Sequence, residues 1–296
     1  MHQLKSPLIF LLLILMGLSD SAMSNPENKD AKKNLKILSW NIFMLPSIVP
    51  REGRIERAKG IVDTLKNSDF DIIIFQEAFH KKAVKVIDNG LAASFPYRYG
   101  PFNKTKPPLN TNSDVWVLSK KPLEVLGVIK YKQAKGIDKM AHKGAILLKG
   151  IHNQNEFQIL GTHMQAGYAK YGETRKKQLM QIGSELLQKN RKPNVPQILC
   201  GDMNVERNVK NEYQFMIEHL NAEDGAIATA QQETYDSKIN PLADPNTTTT
   251  FDYILLRKNN AKINILQRAV SIFKRPWEKV KDDLSDHFGL SCEIEF

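Results

Sequence analysis

The sequence predicts an α/β sandwich in which helices flank packed sheets, and three observations support this fold class. The chain of 296 residues is 42% hydrophobic and 25% charged, an ordinary globular composition that argues against disorder. From residue 35 onward, short apolar runs alternate with segments of helical periodicity, which is the pattern of an α/β fold. No Gly- or Pro-rich linker divides this part, so residues 35–296 are predicted to form a single domain.

Residues 1–24 are predicted to be a secretory signal peptide. Lys5 is followed by an apolar stretch that is too short for a membrane span, and then by small residues. Cleavage is expected after Ala22 or Ser24, and the polar residues 25–34 are expected to form a flexible leader. A retained membrane anchor is the alternative. Export predicts a secreted or periplasmic protein.

The two cysteines and the net charge narrow the class of protein. Two cysteines are too few for a disulfide-dense scaffold or a Cys-built zinc site. An exported protein can form disulfides, but both residues lie in apolar, strand-like stretches. A disulfide between Cys200 and Cys292 and two buried free thiols therefore both remain open. The formal charge of +10 favours an anionic partner, such as a phosphate-rich lipid surface or nucleic acid.

The elements follow from hydrophobic periodicity. Apolar runs bounded by polar residues predict strands at 35–42, 71–76, 114–118, 123–131, 144–149, 157–162, 197–200, 251–256, 263–267 and 290–296. Apolar residues at helical spacing predict helices at 54–66, 84–93 and 173–189. In the last helix, Leu179, Ile182, Leu186 and Leu187 are predicted to face inward.

Polar residues that can carry chemistry follow or abut these apolar runs. They are Asn41, Glu77, His163, Asp202, Asn204, Asp252, Asp286 and His287. One such residue is more often a turn former or a helix cap than a functional group. Several in one chain favour function, because the carboxyl ends of strands hold converging groups in fixed positions.

The residue types at these positions indicate metal-assisted hydrolysis. Carboxylate and amide oxygens are hard ligands that suit Mg²⁺, Mn²⁺ or Ca²⁺ rather than a thiolate-built zinc centre. His163 and His287 add proton transfer at neutral pH. A cation beside an imidazole base is what phosphodiester hydrolysis requires, because the cation neutralises phosphoryl charge and the base removes a proton from water.

Five short strings resemble the endonuclease/exonuclease/phosphatase superfamily, the fold of DNase I. In chain order they are Trp40-Asn41, Phe75-Gln76-Glu77, Gly161-Thr162-His163, Gly201-Asp202-Met203-Asn204 and Ser285-Asp286-His287. Each string alone is a weak signal, but their order and spacing together are specific. The resemblance implies a four-layered α/β/β/α sandwich. It also implies that Glu77 and Asn41 hold a divalent ion with help from Asp286, with Mg²⁺ expected and Mn²⁺ or Co²⁺ as substitutes.

The same resemblance implies the catalytic roles. Asp202 and Asn204 would position the nucleophilic water and the scissile phosphate. His287 would be the general base, with Asp252 orienting its ring. His163 would contact the phosphoryl group and stabilise its charge, where the transition state is more charged than the substrate.

Further strings narrow the resemblance to the secreted bacterial neutral sphingomyelinases. The most telling is Thr162-His163-Met164-Gln165-Ala166, and Lys143-Gly144 also fits. The implied reaction cleaves sphingomyelin to ceramide and phosphocholine by in-line attack of water on phosphorus, with Gln165 as a substrate contact. The implied partner is sphingomyelin in a membrane, contacted peripherally at the interface, and no protein partner is evident.

One segment departs from that family. Its members carry a long aromatic hairpin before the final Ser-Asp-His, whereas residues 270–284 are shorter and more charged. Phe273 and Trp277 are its candidate membrane contacts, because indole sits well at the headgroup level. A solvated loop with one packed tryptophan is the alternative. Asp114 has no assigned role.

Two other functions compete with the sphingomyelinase hypothesis. A secreted Mg²⁺-dependent endonuclease on the same fold would use the +10 charge to bind nucleic acid, a partner expected only under this alternative. A lipid-binding module without catalysis is disfavoured, because the set of candidate residues from Asn41 to His287 is intact.

Overall fold

The computed structural model describes residues 34–49, 51–104 and 111–296. The first eight strands in chain order are β1 Leu35–Met44, β2 Ile72–Ala78, β3 Tyr97–Tyr99, β4 Trp116–Ser119, β5 Glu124–Lys130, β6 Gly144–His152, β7 Asn155–His163 and β8 Gln197–Asp202. They continue with β9 Tyr235–Asp236, β10 Thr248–Thr249, β11 Asp252–Arg257, β12 Asn264–Ser271, β13 Lys274–Glu278, β14 Lys281–Asp283 and β15 Gly289–Glu295. The α-helices are α1 Arg54–Leu65, α2 Lys81–Gly90, α3 Gly172–Ile182 and α4 Lys210–Leu220.

Two large sheets carry the fold. The first has the strand order β12-β15-β1-β2-β4-β3, and the second has the order β11-β8-β7-β6-β5. Within each sheet one neighbouring pair is parallel, β1 with β2 and β7 with β8. The carboxyl ends of parallel neighbours lie at the same edge, so the residues that follow β1 and β2, and those that follow β7 and β8, come together.

Three apolar layers show that the structure is the four-layered sandwich that the resemblance implies. One cluster lies between the sheets and combines Ile37 and Ile74 of the first sheet with Ile159 and Ile198 of the second. A second cluster packs α3 and α4 on the outer face of the second sheet. A third packs α1 and α2 on the outer face of the first. The predicted inward residues Leu179, Ile182, Leu186 and Leu187 are all buried.

Several element boundaries differ from the predicted ones. Helix α2 begins at Lys81 rather than 84, because the His80 side chain accepts a hydrogen bond from the Ala83 amide and caps the helix. Strand β4 begins at Trp116 rather than 114, since Asp114 has a φ of 59°, outside the extended region. The predicted helix 173–189 is α-helical only as far as Ile182, and Gly183–Gln188 continue as a π-helix.

The sequence prediction also missed some elements. Helix α4 was not predicted, although Met216 and Leu220 form its buried face. Residues 270–284 do not form a solvated loop, because β13 and β14 pair as a short antiparallel hairpin. Cys200 and Cys292 are buried free thiols, which decides between the two alternatives for these residues.

The predicted signal peptide, residues 1–24, lies outside the described residues, as does the predicted leader apart from Asn34. Residues Asn34–Phe296 form one compact unit. In the part of the chain that the structure describes, no helix has the length and apolar character needed to cross a membrane.

Candidate active site

Strained backbone marks the ends of β1 and β2. Asn41 lies opposite Gln76 in the parallel register, which places it beside Glu77. A bulge follows Asn41, where the Asn41 side chain accepts a hydrogen bond from the Phe43 amide at 3.1 Å and Phe43 has a φ of 53°. Glu77 itself has a φ of 60°. Non-glycine residues rarely adopt this conformation, and it is found where the surrounding structure holds functional groups in place.

Asp202, the last residue of β8, is the hub that connects the other candidate residues. Its Oδ2 accepts a hydrogen bond from Asn41 Nδ2 at 3.0 Å, and its Oδ1 accepts one from the Asn204 amide at 2.9 Å. The same Oδ2 lies 3.5 Å from His163 Nε2 and 3.8 Å from His287 Nε2. The structure thus brings the ends of β1, β7, β8 and the segment before β15 to one point.

His287 forms a dyad with Asp252. Its Nδ1 lies 2.8 Å from Asp252 Oδ2, and both side chains are buried. Burial acts to lower the pKa of His287, but the negative charges of Asp252 and Asp202 outweigh it and hold this pKa well above its usual range. The raised pKa favours the protonated ring, so Nε2 accepts a proton from another group only in the neutral form, in which Nδ1–H is held by Asp252.

His163 forms a second dyad, with Asp114. Its Nδ1 lies 2.6 Å from Asp114 Oδ2, and Lys143 Nζ lies 2.9 Å from its Nε2. The lysine ammonium can only donate, so Nε2 accepts and Nδ1–H donates to Asp114. Burial, followed by the charge of Lys143, lowers the pKa of His163 to about 3. His163 is therefore a neutral imidazole whose two nitrogens both have protein partners.

Lys143 is held in turn by Asp138. Lys143 Nζ donates to Asp138 Oδ2 at 3.0 Å and to the Met164 carbonyl at 3.1 Å, and both side chains of the ion pair are buried. Burial lowers the pKa of Lys143, yet Asp138 and Asp114 outweigh it, and the net shift raises this pKa and keeps the ammonium charged. A buried lysine is rare unless paired. Sequence reasoning did not assign Asp114, Asp138 or Lys143 to the site, although Lys143 was part of a string that supported the resemblance.

Glu77, which is half-buried, and Asp286, which is buried, form a pair of carboxylates that fit a divalent cation. Burial, followed by the charge of Asp286, raises the pKa of Glu77 to about 8, and burial raises that of Asp286 to about 6. Glu77 Oε2 is buried and has no hydrogen-bond partner in the described part of the chain. A buried carboxylate oxygen without a partner is costly, and a cation would supply the missing partner. Together with the Asn41 amide, this donor set is that of a divalent-metal site.

Asp202, Asp252 and His287 also offer ligand atoms within 4.8 Å of one another. His287 Nδ1 is already bonded to Asp252, and this contact fixes the ring for proton transfer. The second cluster therefore suits proton transfer, and the carboxylates around Glu77 suit a cation.

The three predicted substrate or membrane contacts have protein partners. Gln165 is buried, and its side chain binds both the amide and the carbonyl of Lys135, at 2.6 and 3.2 Å. The Phe273 ring packs on Trp40 with 4.7 Å between centroids. Trp277 Nε1 donates to the Asp283 carbonyl at 2.8 Å, and its ring lies against the third apolar cluster. Contact of these side chains with lipid stays a prediction.

Comparison with known families agrees with this geometry. The Endonuclease/Exonuclease/phosphatase family matches the chain over residues 38–287, a range that includes every residue of the site described above. The chain belongs to this family. The match begins three residues after the start of β1 and ends at the proposed base, His287.

Relatives within the family are lipid-cleaving enzymes by name. The chain is 29% identical over 302 residues to Sphingomyelinase C 2 of Leptospira interrogans, covering 92% of this chain and 48% of that protein. It therefore spans about half the length of that relative. It is 28% identical over 317 residues to Sphingomyelinase C of Bacillus cereus, covering 93% and 92%. A crystal structure of beta toxin from Staphylococcus aureus, 24% identical, superposes with a TM-score of 0.75 over 87% of this chain and 99% of that one, which shows the shared fold.

Proposed function

We propose that this protein is a secreted sphingomyelin phosphodiesterase that depends on a divalent metal and releases phosphocholine and ceramide. The observation that carries the proposal is the convergence of the His287–Asp252 dyad and the Glu77–Asp286 carboxylate pair around Asp202. The names of the relatives, sphingomyelinase C in Leptospira and Bacillus, support the choice of substrate.

The residues divide the reaction between them. His287 Nε2 accepts a proton from the attacking water while Asp252 holds Nδ1–H, because the dyad fixes both the tautomer and the ring orientation. Asp202 and Asn204 position the water and the scissile phosphate. The Lys143 ammonium, which donates to His163 Nε2, supplies positive charge toward the phosphoryl group, and the neutral His163 ring positions it there.

Glu77, Asn41 and Asp286 are the proposed ligands of the cation. When bound there, a divalent ion would neutralise phosphoryl charge and make water a better nucleophile. We propose Mg²⁺, with Mn²⁺ or Co²⁺ as substitutes, because hard oxygen donors favour these small cations. Isothermal titration of Mg²⁺ into wild type and into Glu77→Gln measures this binding without an activity assay. We expect the variant to bind Mg²⁺ at least about tenfold more weakly than wild type. Equal affinity would show that Glu77 is not a ligand of the cation.

Comparison of two substrates tests the function. We expect the purified protein with Mg²⁺ to release phosphocholine from sphingomyelin vesicles faster than it nicks plasmid DNA by about 100-fold or more, because an interfacial lipid site does not bind a duplex backbone. Glu77→Gln is the matched control, since it keeps the size of the side chain and removes the charge. Equal or reversed rates would favour the endonuclease alternative, which the +10 charge permits.

Secretion and domain organisation are part of the proposal. We propose that residues 1–24 direct export and are removed, that 25–34 form a leader, and that 35–296 form the catalytic domain. The lysine and the small residues that flank the apolar stretch support the export step. N-terminal sequencing of the exported protein would locate the cleavage site.

A further inference from the structure

A short turn projects from the edge of the active site. It is the segment 135–140, which contains the 3₁₀-helix Gly136–Lys139 and is called here the anchor turn. The buried Asp138 side chain holds the anchor turn against the domain, because its Oδ2 accepts hydrogen bonds from Lys143 Nζ at 3.0 Å and from the Ala166 amide at 2.8 Å. Lys143 also contacts His163, so one side chain separates the anchor turn from the site.

The outer side of the anchor turn is apolar. The Met140 amide donates to the Ile137 carbonyl at 2.9 Å and closes the turn. Residues three apart eclipse one another in a 3₁₀-helix, so Ile137 and Met140 lie side by side. They are 72% and 52% exposed, whereas Asp138 between them is buried. Two large aliphatic side chains are thus held in water by a turn that is fixed on its other side.

Basic residues flank this apolar pair. Lys135 and Lys139 are exposed on the turn itself. Gly136, with a φ of 55°, packs on Tyr171, because a Cβ there would lie 3.0 Å from the tyrosine hydroxyl. The exposed Lys170 places its Nζ 5.3 Å from the centroid of the Tyr171 ring. Three exposed lysines therefore lie on or beside the turn that carries the two aliphatic side chains.

We propose that the anchor turn is a membrane-docking element that inserts Ile137 and Met140 into a phospholipid bilayer, with Lys135, Lys139 and Lys170 at the level of the lipid phosphates. An apolar tip flanked by exposed lysines matches the two layers of a lipid surface, the acyl boundary and the phosphates above it. The proposal rests on the proposed function and adds the surface through which that function reaches its substrate.

The packing of the β13–β14 hairpin supports this choice of surface. Its aromatic residues Phe273 and Trp277 pack against Trp40 and the Asp283 carbonyl. Val280, 92% exposed, is the exposed large apolar side chain between β13 and β14. The hairpin thus presents one such side chain, whereas the anchor turn presents two beside the catalytic network.

The test compares one double variant on two substrates. Ile137→Ser with Met140→Ser is assayed on vesicles of sphingomyelin and phosphatidylcholine, and on soluble bis(p-nitrophenyl) phosphate. We expect vesicle sedimentation and phosphocholine release to fall about tenfold, while turnover of the soluble diester stays within about twofold of wild type. The matched control is Ile151→Ser with Leu266→Ser, which removes two side chains that are 63% and 52% exposed. Both lie toward the ends of β6 and β12 that point away from the active site.

A second variant tests the three lysines. Wild type is expected to bind vesicles more tightly when they contain phosphatidylserine. Replacing Lys135, Lys139 and Lys170 with glutamine should remove this gain in affinity, and added salt should remove it from the wild type. The variant Ile137→Leu with Met140→Leu should bind vesicles as tightly as wild type, because leucine keeps the apolar surface of the turn.

Four outcomes would overturn the proposal. Equal losses in the anchor and control variants would make the effect nonspecific. If wild type and the Ile137→Ser, Met140→Ser variant are equally active on vesicles, the docking proposal is wrong while the proposed function stands. A wild type that cleaves the soluble diester but releases no phosphocholine would refute the function and the docking together. If sedimentation velocity shows that the anchor variant only dissociates a dimer, the apolar pair binds a second copy and the proposal is wrong.

Discussion

The two histidine–carboxylate dyads of the site have the same geometry and opposite electrostatics. In both, Nδ1 of a buried histidine lies within hydrogen-bond distance of a buried aspartate, Asp252 for His287 and Asp114 for His163. The difference lies at Nε2. In both rings this atom lies near Asp202 Oδ2, at 3.5 Å for His163 and 3.8 Å for His287, but that of His163 also accepts from the Lys143 ammonium. Lys143 is therefore the neighbour that distinguishes the two rings, and we propose that His287 acts as the proton acceptor while His163 is a neutral, positioned ring.

Removing the base is expected to have the largest effect. His287→Ala should lower kcat by about 1,000-fold, because general base catalysis contributes on this order. Thermal unfolding is the control: His287 packs edge-on against Tyr235 and pairs with the buried Asp252, so some loss of stability is expected, and the assay is run well below the unfolding midpoint of the variant. A variant that keeps wild-type turnover would end the assignment of His287 as the base.

Neutralising Asp252 comes next. Asp252→Asn should lower kcat by about 100-fold, because the amide no longer selects the required tautomer of His287. Asp252 raises the pKa of His287, so its loss lowers that pKa, and the acidic limb of the kcat/KM profile should move to lower pH. Asp114→Asn is the matched control at the other dyad and should leave this limb in place. If the acidic limb of the kcat/KM profile moves in both variants, Asp114 affects the pKa of the base as Asp252 does, and the proposed difference between the two dyads is wrong.

Lys143 sharpens the contrast with a smaller effect on rate. Lys143→Gln should lower kcat by about tenfold, through loss of charge toward the phosphoryl group. Lys143 helps to lower the pKa of His163 to about 3, so NMR titration of the ring should show a higher pKa in the variant. Removing one partner of a buried ion pair also destabilises the fold, by about 3 kcal/mol. Lys143→Met with Asp138→Asn removes both charges and should recover much of that stability, while a smaller rise in the His163 pKa remains, because Asp138 itself raises this pKa. An unchanged pKa in both variants would contradict the proposed control by Lys143.

Much of the site could be anticipated from sequence, because each candidate residue abuts an apolar run that local periodicity reveals. Glu77 follows the continuous run of β2, and Asp202 ends the buried strand β8. Their grouping required the order and spacing of five strings, which a single strand end does not provide. Asp114 and Lys143 also abut predicted strands, but at their amino ends, and Asp138 lies in a 3₁₀ turn. These three residues come to the site only through the antiparallel pairing of the strands, which local periodicity does not reveal.

The sequence by itself determined the fold class, the positions of most strands and the donor set at their ends, since these depend on patterns within a few residues. The tertiary structure alone decided which partner each histidine has. Lys143 and His163 are 20 residues apart, and Asp114 and His163 are 49 apart, so their contacts exist only once the sheets are in register. The inward packing of Phe273 and Trp277 and the exposure of Ile137 and Met140 are decided in the same way, because burial depends on which other elements cover a side chain.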